Sequence, residues 1–350
     1  MNERKTLVIL SPGFPENEAD TTCMPFSQVF VRGLKQSYPQ LNIVIVAFEY
    51  PFKKSSYSWE GIPVIALGGK NRSRLYRWAN WTRVWKTLTR LNKQYQVIGL
   101  LSFWFDECAF VGHHFARRHR LKHFSWMLGQ DARPGNRYFR WIRPQSGSLI
   151  ALSDFVAQQV LDNYGILPAN TITTGIDVSL FKPGAGQRDI DILGAGSLIP
   201  LKQYDVFIDV VKFMKEFIPD INTVICGKGP EKERLQTLIR QNRLEGNITL
   251  RDEVPHAEVL SLMQRSKVFL HTSSYEGFAA VFQEALYAGA QVVSFVKPMA
   301  GRIEHLHPVS DLVEMCHKLL DIFDAAEPDH EPVLAYPIQK TASSIMQLYA

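Results

Sequence analysis

Much of what would assign this 350-residue chain quickly is missing from it. No apolar run approaches the roughly 18 residues of a membrane-spanning helix. The opening "KTLVILSPGFP" has four apolar residues before a Pro/Gly turn. That is too short for the core of a secretory leader, so a first buried strand and a cytoplasmic setting are expected. Cysteine is scarce: Cys23, Cys108, Cys226 and Cys316 stand far apart, with no CxxC and no zinc spacing. Buried reduced thiols and no metal are expected. A GxGxxG fingerprint is absent, which disfavours a nicotinamide-dependent dehydrogenase, and so is a GK[ST] phosphate loop. There is no repeat of fixed period and no low-complexity tract.

What is present is ordinary for a globular protein: 46% apolar and 21% charged residues. The length suggests two domains of similar size. The net charge of +5 hides an asymmetry. Residues 1–185 hold 23 Lys+Arg against 12 Asp+Glu (+11), and residues 186–350 hold 16 against 22 (−6). The first half therefore favours an anionic partner, and nothing points to nucleic acid. Short apolar runs at 6–11, 42–48, 62–67, 96–103, 122–128 and 148–152 read as strands. In the second half the strands are 189–195, 222–226, 247–251, 267–271 and 291–295. Helical spacing lies between most of them, as at 153–164, 203–217, 230–242 and 256–265. This alternation predicts an α/β protein of two Rossmann-like, doubly wound domains facing across a cleft, with parallel sheets covered on both faces. The Gly-rich "TGIDVSLFKPGAGQ" (174–187) reads as the linker. The boundaries expected are 1–170, 171–335 and a last helix, 336–350, crossing back to the first domain.

Ligands of such folds bind beyond the carboxyl ends of the strands. Three loops of the second half qualify: "GAGSLIPLK" ending in Lys202, "GKGPEKE" with Gly227 and Gly229, and "SSYEGFA" after strand 267–271. The last continues into "EGFAAVFQE", which puts Glu276 on a loop and Glu284 nearly two turns into a helix that Gly289 ends. The amides of that helix start are a seat for phosphate. Carboxylates accept paired hydrogen bonds from vicinal hydroxyls, so two acids around a phosphate seat suit a nucleotide sugar. A capping carboxylate and a solvent-facing helix residue are the structural alternative.

The stretch from "TGIDVSLFKP" through "GSLIPLK", "GKGPE" and "LRDEVPHAEVLSLMQRSKVFLHTS" to "EGFAAVFQE" resembles the C-terminal domain of retaining GT-B-fold glycosyltransferases carrying E-x7-E, relatives of sucrose and glycogen synthases and bacterial mannosyltransferases. The resemblance runs over about residues 171–295; the first half matches in pattern alone. It implies that Glu284 binds the donor ribose, that Glu276 binds the donor sugar, and that Lys202 neutralises the leaving diphosphate. The backbone of Gly277, Phe278 and Ala279 would lie along sugar and diphosphate. Gly196 and Ser197 would line the donor loop, and Val254 and the Gly227–Gly229 turn would flank the base. No metal is obligatory, and the donor would be a UDP- or GDP-sugar. Three departures stand out. Ser197 occupies a position where the family usually has Arg, leaving Lys228, Lys297 or Arg302 as substitutes. "LGQD" puts Leu128 where a His is common but keeps Asp131, an expected acceptor-side residue. "SPGFPENEAD", with Gly13, replaces a double-Gly acceptor loop. His113, His114, His305 and His307 read as structural or surface residues.

The segment "KNRSRLYRWANWTRVWK" (70–86) mixes basic and aromatic residues. Helical spacing predicts Leu75, Trp78, Ala79, Thr82, Trp85 and Leu88 inward, with Arg74, Arg77, Trp81 and Lys86 outside. Such a face could dock on an anionic membrane surface, where a lipid-linked acceptor resides. The expectation is a cytoplasmic retaining glycosyltransferase, peripheral on the inner face of the plasma membrane. It would move sugar to a glycan or lipid-linked acceptor in polysaccharide or glycolipid synthesis. A non-catalytic nucleotide-sugar or glycan-binding protein and a nucleotide-sugar epimerase are the alternatives.

Overall fold

The chain divides into two units, residues 1–175 with 338–350, and residues 176–337. The structure is a computed structural model that describes residues 2–70, 74–182, 187–278, 280–325 and 329–350; the side chains of Asn2, Glu3, Arg74 and Leu75 fall outside that description.

The first unit is built as β1 (Asn2–Gly13), α1 (Pro25–Ser37), β2 (Asn42–Tyr50), β3 (Ser55–Trp59), β4 (Ile62–Ala66), α2 (Arg74–Gln94), β5 (Tyr95–Phe103), α3 (Glu107–His119), β6 (Lys122–Met127), α4 (Arg137–Ile142), β7 (Leu149–Ala151), α5 (Asp154–Tyr164) and β8 (Asn170–Thr171). Its sheet runs β3-β4-β2-β1-β5-β6-β7-β8. Leu7, Val8, Ile9 and Leu10 on the central β1 are all fully buried. Successive strand residues point to opposite faces, so this sheet is covered on both sides, as a parallel α/β sheet must be. One strand departs from the expected parallel order: β3 pairs antiparallel with β4. Its two-residue turn, Glu60-Gly61, has positive φ at both positions (47° and 74°), the hairpin geometry that matches strand twist. Sequence periodicity misses β3 because "SSYSW" is mostly exposed and lacks an apolar run.

The second unit contains β9 (Ile190–Ala195), α6 (Tyr204–Met214), β10 (Thr223–Cys226), α7 (Lys232–Gln241), β11 (Ile248–Arg251), α8 (His256–Gln264), β12 (Ser266–His271), α9 (Ala280–Tyr287), β13 (Gln291–Ser294), β14 (Leu306–Pro308) and α10 (Leu312–Asp324). Its sheet is parallel throughout, in the order β11-β10-β9-β12-β13-β14. Ile192, Phe207, Val211, Leu235, Val268 and Met315 lie in its core. The linker reading at 174–187 spans the start of this unit, and its residues 183–186 lie outside the described residues. The short β8 and β14 are additions to the strands that periodicity predicts.

The inward face of α2 is not the one that spacing suggests. Trp78 is 67% exposed, and Ala79 and Thr82 are exposed too. Leu88 is buried as expected and Trp85 is half-buried, but Asn80, Val84 and Leu91 complete the buried stripe, and Trp81 is half-buried, its Nε1–H donating to Glu107 at 2.5 Å. Asn80 explains the error. Its Nδ2 donates to the Phe48 carbonyl at 3.0 Å, so a polar residue occupies the buried stripe and shifts its apparent phase.

The last helix, α11 (Ile338–Gln347), belongs to the first unit, where it packs on α1. A Cβ at Gly33 would overlap the Ile338 side chain, so the glycine lets the two helices approach. Tyr349 donates its hydroxyl to the Leu100 carbonyl at 2.7 Å.

At the end of β12, His271 is register partner to Ser294 on β13, with Nδ1 3.3 Å from Ser294 Oγ. Only 5% of His271 is exposed, and burial, aided by the Lys202 ammonium, holds its pKa well below the usual 6.5.

Two outcomes follow from this packing. Gly33→Ala should cost about 1–3 kcal/mol in urea unfolding, by overpacking against Ile338, and less than that when made with Ile338→Ala. Additive losses would mean that the contact does not limit the helices' approach. For His271, both folded and unfolded chains hold a neutral ring above pH 6.5. Below it the unfolded chain gains a proton that the folded chain refuses, so stability falls as pH falls below 6.5. His271→Gln should remove that part of the decline; identical declines in both proteins would show that the folded ring protonates normally.

Candidate active site

Strands β9, β10 and β12 are neighbours, so the loops after them emerge side by side. The first two touch through their backbones. Gly196 N–H donates to the Cys226 carbonyl (3.0 Å), Leu198 N–H to Lys228 (2.9 Å), and Glu231 N–H to Leu198 (3.1 Å). A Cβ at Gly227 would overlap the Gly196 carbonyl, and one at Gly229 the Leu198 carbonyl. These glycines therefore serve loop–loop contact, whatever else approaches them.

Lys202 ends a short 3-10 turn, Pro200–Lys202, and Gln203 follows in the left-handed region (φ 48°). The polar run after β12 holds that turn. Thr272 Oγ1 donates toward the carbonyls of Lys202 and Gln203 (both 2.9 Å), Ser273 Oγ to Leu201 (3.1 Å), and Ser274 N–H to Leu201 (3.1 Å). Thr272 and Ser273 are both buried. Their hydroxyls fix the loop that carries Lys202 against the loop that carries Glu276. The outcome is a partly buried ion pair between Lys202 Nζ and Glu276 Oε2.

His271 lies beneath this pair, its Nε2 3.5 Å from Lys202 Nζ and 3.8 Å from Glu276 Oε2. An ammonium offers only donors, so Nε2 faces it as an acceptor and Nδ1 carries the hydrogen toward Ser294. Ser294 Oγ also accepts from Val296 N–H at 3.0 Å.

After Glu276 the chain turns inward. Gly277 is buried, and the Phe278 ring packs against Phe282 and Tyr336. Ala279, expected along the sugar and diphosphate, lies outside the described residues. Helix α9 begins at Ala280, so Glu284 sits one turn into it rather than nearly two. Glu284 is 6% exposed and does not contact Lys202 or Glu276; its Oε1 accepts from His256 Nε2 at 2.8 Å. His256 opens α8, two residues after the half-buried Val254.

The other expected residues fall into place as follows. Ser197 is exposed. Lys228, a substitute for the missing family arginine, is in an ion pair with Glu253. In the first unit, Gly13 ends β1 beside Tyr50 on β2. Asp131 accepts backbone N–H bonds from Phe105 (2.7 Å), Gly129 (2.9 Å) and Leu128 (3.1 Å), tying the loops after β5 and β6. Those bonds pull its pKa down, but burial outweighs them and raises it. Sequence reasoning missed His256, His271, Thr272 and Ser273 as site-building residues. For Thr272 and Ser273 the signal available was a polar run directly after the apolar Val268–Leu270.

Among described residues, Cys108, Cys226 and Cys316 are buried free thiols and Cys23 is a half-buried one. No described helix is long and apolar enough to cross a membrane.

This geometry can be set beside known proteins. Residues 176–306 match the family model of glycosyl transferases group 1. A phosphatidylinositol N-acetylglucosaminyltransferase subunit from Arabidopsis thaliana is 27% identical over 135 residues, 37% of this chain and 30% of that protein. The chain thus aligns with less than a third of that relative's length. A glycosyltransferase from Rickettsia africae has a TM-score of 0.73 at 14% identity, covering 100% of this chain and 98% of that one. Anabaena Alr3699/HepE, solved with UDP-glucose, has a TM-score of 0.68 at 16% identity, covering 99% and 97%. By fold this is a GT-B protein, and its residues 176–306 are similar to the glycosyl transferases group 1 family.

Proposed function

We propose that the protein is a retaining glycosyltransferase that moves a sugar from a nucleoside-diphosphate sugar to a glycan or lipid-linked acceptor. A single observation carries the reading: the Lys202–Glu276 ion pair on converging strand-end loops, followed eight residues on by the buried Glu284. UDP-sugar is favoured as donor because the Anabaena neighbour was solved with UDP-glucose.

Lys202 and Glu276 satisfy each other. Donor binding exchanges that contact for two better-matched ones. The diphosphate takes the ammonium, and the hydroxyls of the sugar donate to the carboxylate. Glu284 accepts from the ribose hydroxyls, with Val254 and the Gly227–Gly229 turn against the base. As the bond between the sugar anomeric carbon and the phosphate oxygen breaks, charge builds on the diphosphate. Lys202 and the backbone amides of Gly277 and Phe278 stabilise that charge. The acceptor oxygen forms its bond on the face that the diphosphate leaves and passes its proton to the departing phosphate oxygen. Configuration is thereby retained, and no step requires a metal.

The first unit is proposed to bind the acceptor and to dock on an anionic cytoplasmic leaflet. On α2 Trp78 rather than Trp81 is exposed, Trp141 is exposed on α4, and so are Arg83, Lys86, Arg137 and Arg140. Trp81, Phe110 and Trp141 connect α2 to α3 and α4 by ring contacts (centroids 4.9 and 5.9 Å), and Arg137 lies over Trp141 at 4.9 Å. Aromatic and cationic side chains together suit the interface of an acidic bilayer, at about 1 kcal/mol per basic residue.

A thermal-shift panel of UDP-, GDP- and ADP-sugars tests the donor. One member should raise the melting temperature, by about 2.7 kcal/mol of added stability at a hundredfold excess over Kd. Lys202→Ala and Glu284→Ala should each remove most of the shift; equal shifts in all three proteins would place the nucleotide elsewhere. Slow donor hydrolysis that Glu276→Gln abolishes would set a transferase apart from a non-catalytic binder. For membrane docking, vesicles rich in phosphatidylserine should cosediment the protein, and Trp78→Ala with Lys86→Glu should weaken this about tenfold or more. Unchanged sedimentation would remove the membrane from the proposal.

A further inference from the structure

A carboxylate buried like Glu284 is costly unless hydrogen-bonded. Among the described residues, its Oε1 accepts from His256 Nε2 at 2.8 Å, and Oε2 accepts no protein hydrogen bond. The donor comes from a separate element. His256 is the first residue of α8, after Pro255 in an extended conformation (φ −55°, ψ 147°). The carbonyl of Pro255 accepts from Glu258 N–H (2.9 Å) and Val259 N–H (3.2 Å), which anchors the helix start. Glu258 in that first turn also pairs with Arg251 at 2.6 Å. The imidazole is thus presented from a braced helix start, with most of its side chain buried (17% exposed).

We propose that His256 is a positioning residue for nucleoside recognition. By donating to Oε1 it fixes the plane of the Glu284 carboxylate and leaves Oε2 as the acceptor for the ribose hydroxyls. The inference rests on the reading of Glu284 as the ribose-binding acid and goes beyond it. The tripeptide Val254-Pro255-His256 then does two jobs: Val254 borders the base, and His256 orients the acid that tells ribose from a sugar lacking hydroxyls. An unoriented carboxylate would rotate between rotamers, and each hydroxyl would meet a poorly aimed acceptor.

The experiment compares the affinities of UDP and 2′,3′-dideoxy-UDP by calorimetry. In the wild type, hydrogen bonds to a charged acceptor should favour UDP about tenfold or more. His256→Ala should bring that ratio close to one, with little effect on the dideoxy ligand. His256→Gln, whose amide can reach the same oxygen, should keep most of the preference, and the shorter His256→Asn should lose it. In turnover with UDP-glucose, His256→Ala should raise the donor KM far more than it lowers kcat, a split that general loss of structure would not produce. A folded His256→Ala or His256→Asn protein with the full wild-type preference overturns the proposal while leaving Glu284 as the ribose acid. If the wild type shows no preference, or Glu284→Ala keeps it, the reading of Glu284 itself falls and this inference with it.

Discussion

The adjacency of β10, β9 and β12 in one parallel sheet is the constraint on which the rest of the second unit depends. Parallel strands release all their carboxyl-end loops at one edge, so three segments far apart in sequence must emerge together. The loops then have to fit one another before they can fit a ligand. Gly227 and Gly229 are where a side chain would strike the neighbouring backbone, and the hydroxyls of Thr272 and Ser273 bind the turn that carries Lys202. A frame of backbone and hydroxyl contacts is what holds two charged side chains within reach of each other.

Electrostatically the site is a set of provisional satisfactions. Lys202 and Glu276 neutralise each other, the neutral ring of His271 accepts from below, and His256 answers the buried Glu284. Each acid thus has its own imidazole or ammonium partner, and the two acids do not share one. This separation matters for the proposed chemistry. In that proposal the contact that would open to admit diphosphate, Lys202 with Glu276, is distinct from the contact that would stay in place behind the nucleoside, His256 with Glu284. A partly exposed pair exchanges partners at low cost, whereas a buried hydrogen-bonded one resists it.

The first unit shows what a period alone misreads. The α2 segment carries enough aromatic residues for two plausible stripes, and Asn80 lies on the true one, its buried amide donating to the Phe48 carbonyl of β2 beside the Gly69 N–H. Sequence spacing counts apolar residues; it does not register a buried amide that satisfies a neighbouring strand. The β3–β4 hairpin was hidden for the related reason that an exposed edge strand needs no apolar run.

Composition and periodicity by themselves determined the α/β class, the two-domain division, most strand positions and the membership of three glycine- and acid-bearing loops in one region. They could do so because buried parallel strands must be short and apolar, and because glycine and acid spacing is local. Tertiary structure alone decided which side chains face each other: that Lys202 reaches Glu276 and not Glu284, that His256 and His271 stand behind the two acids, and that Trp78 rather than Trp81 is exposed. Those outcomes depend on strand order and on hydrogen bonds between residues up to 74 positions apart, such as Lys202 and Glu276. A linear pattern holds no record of such distances.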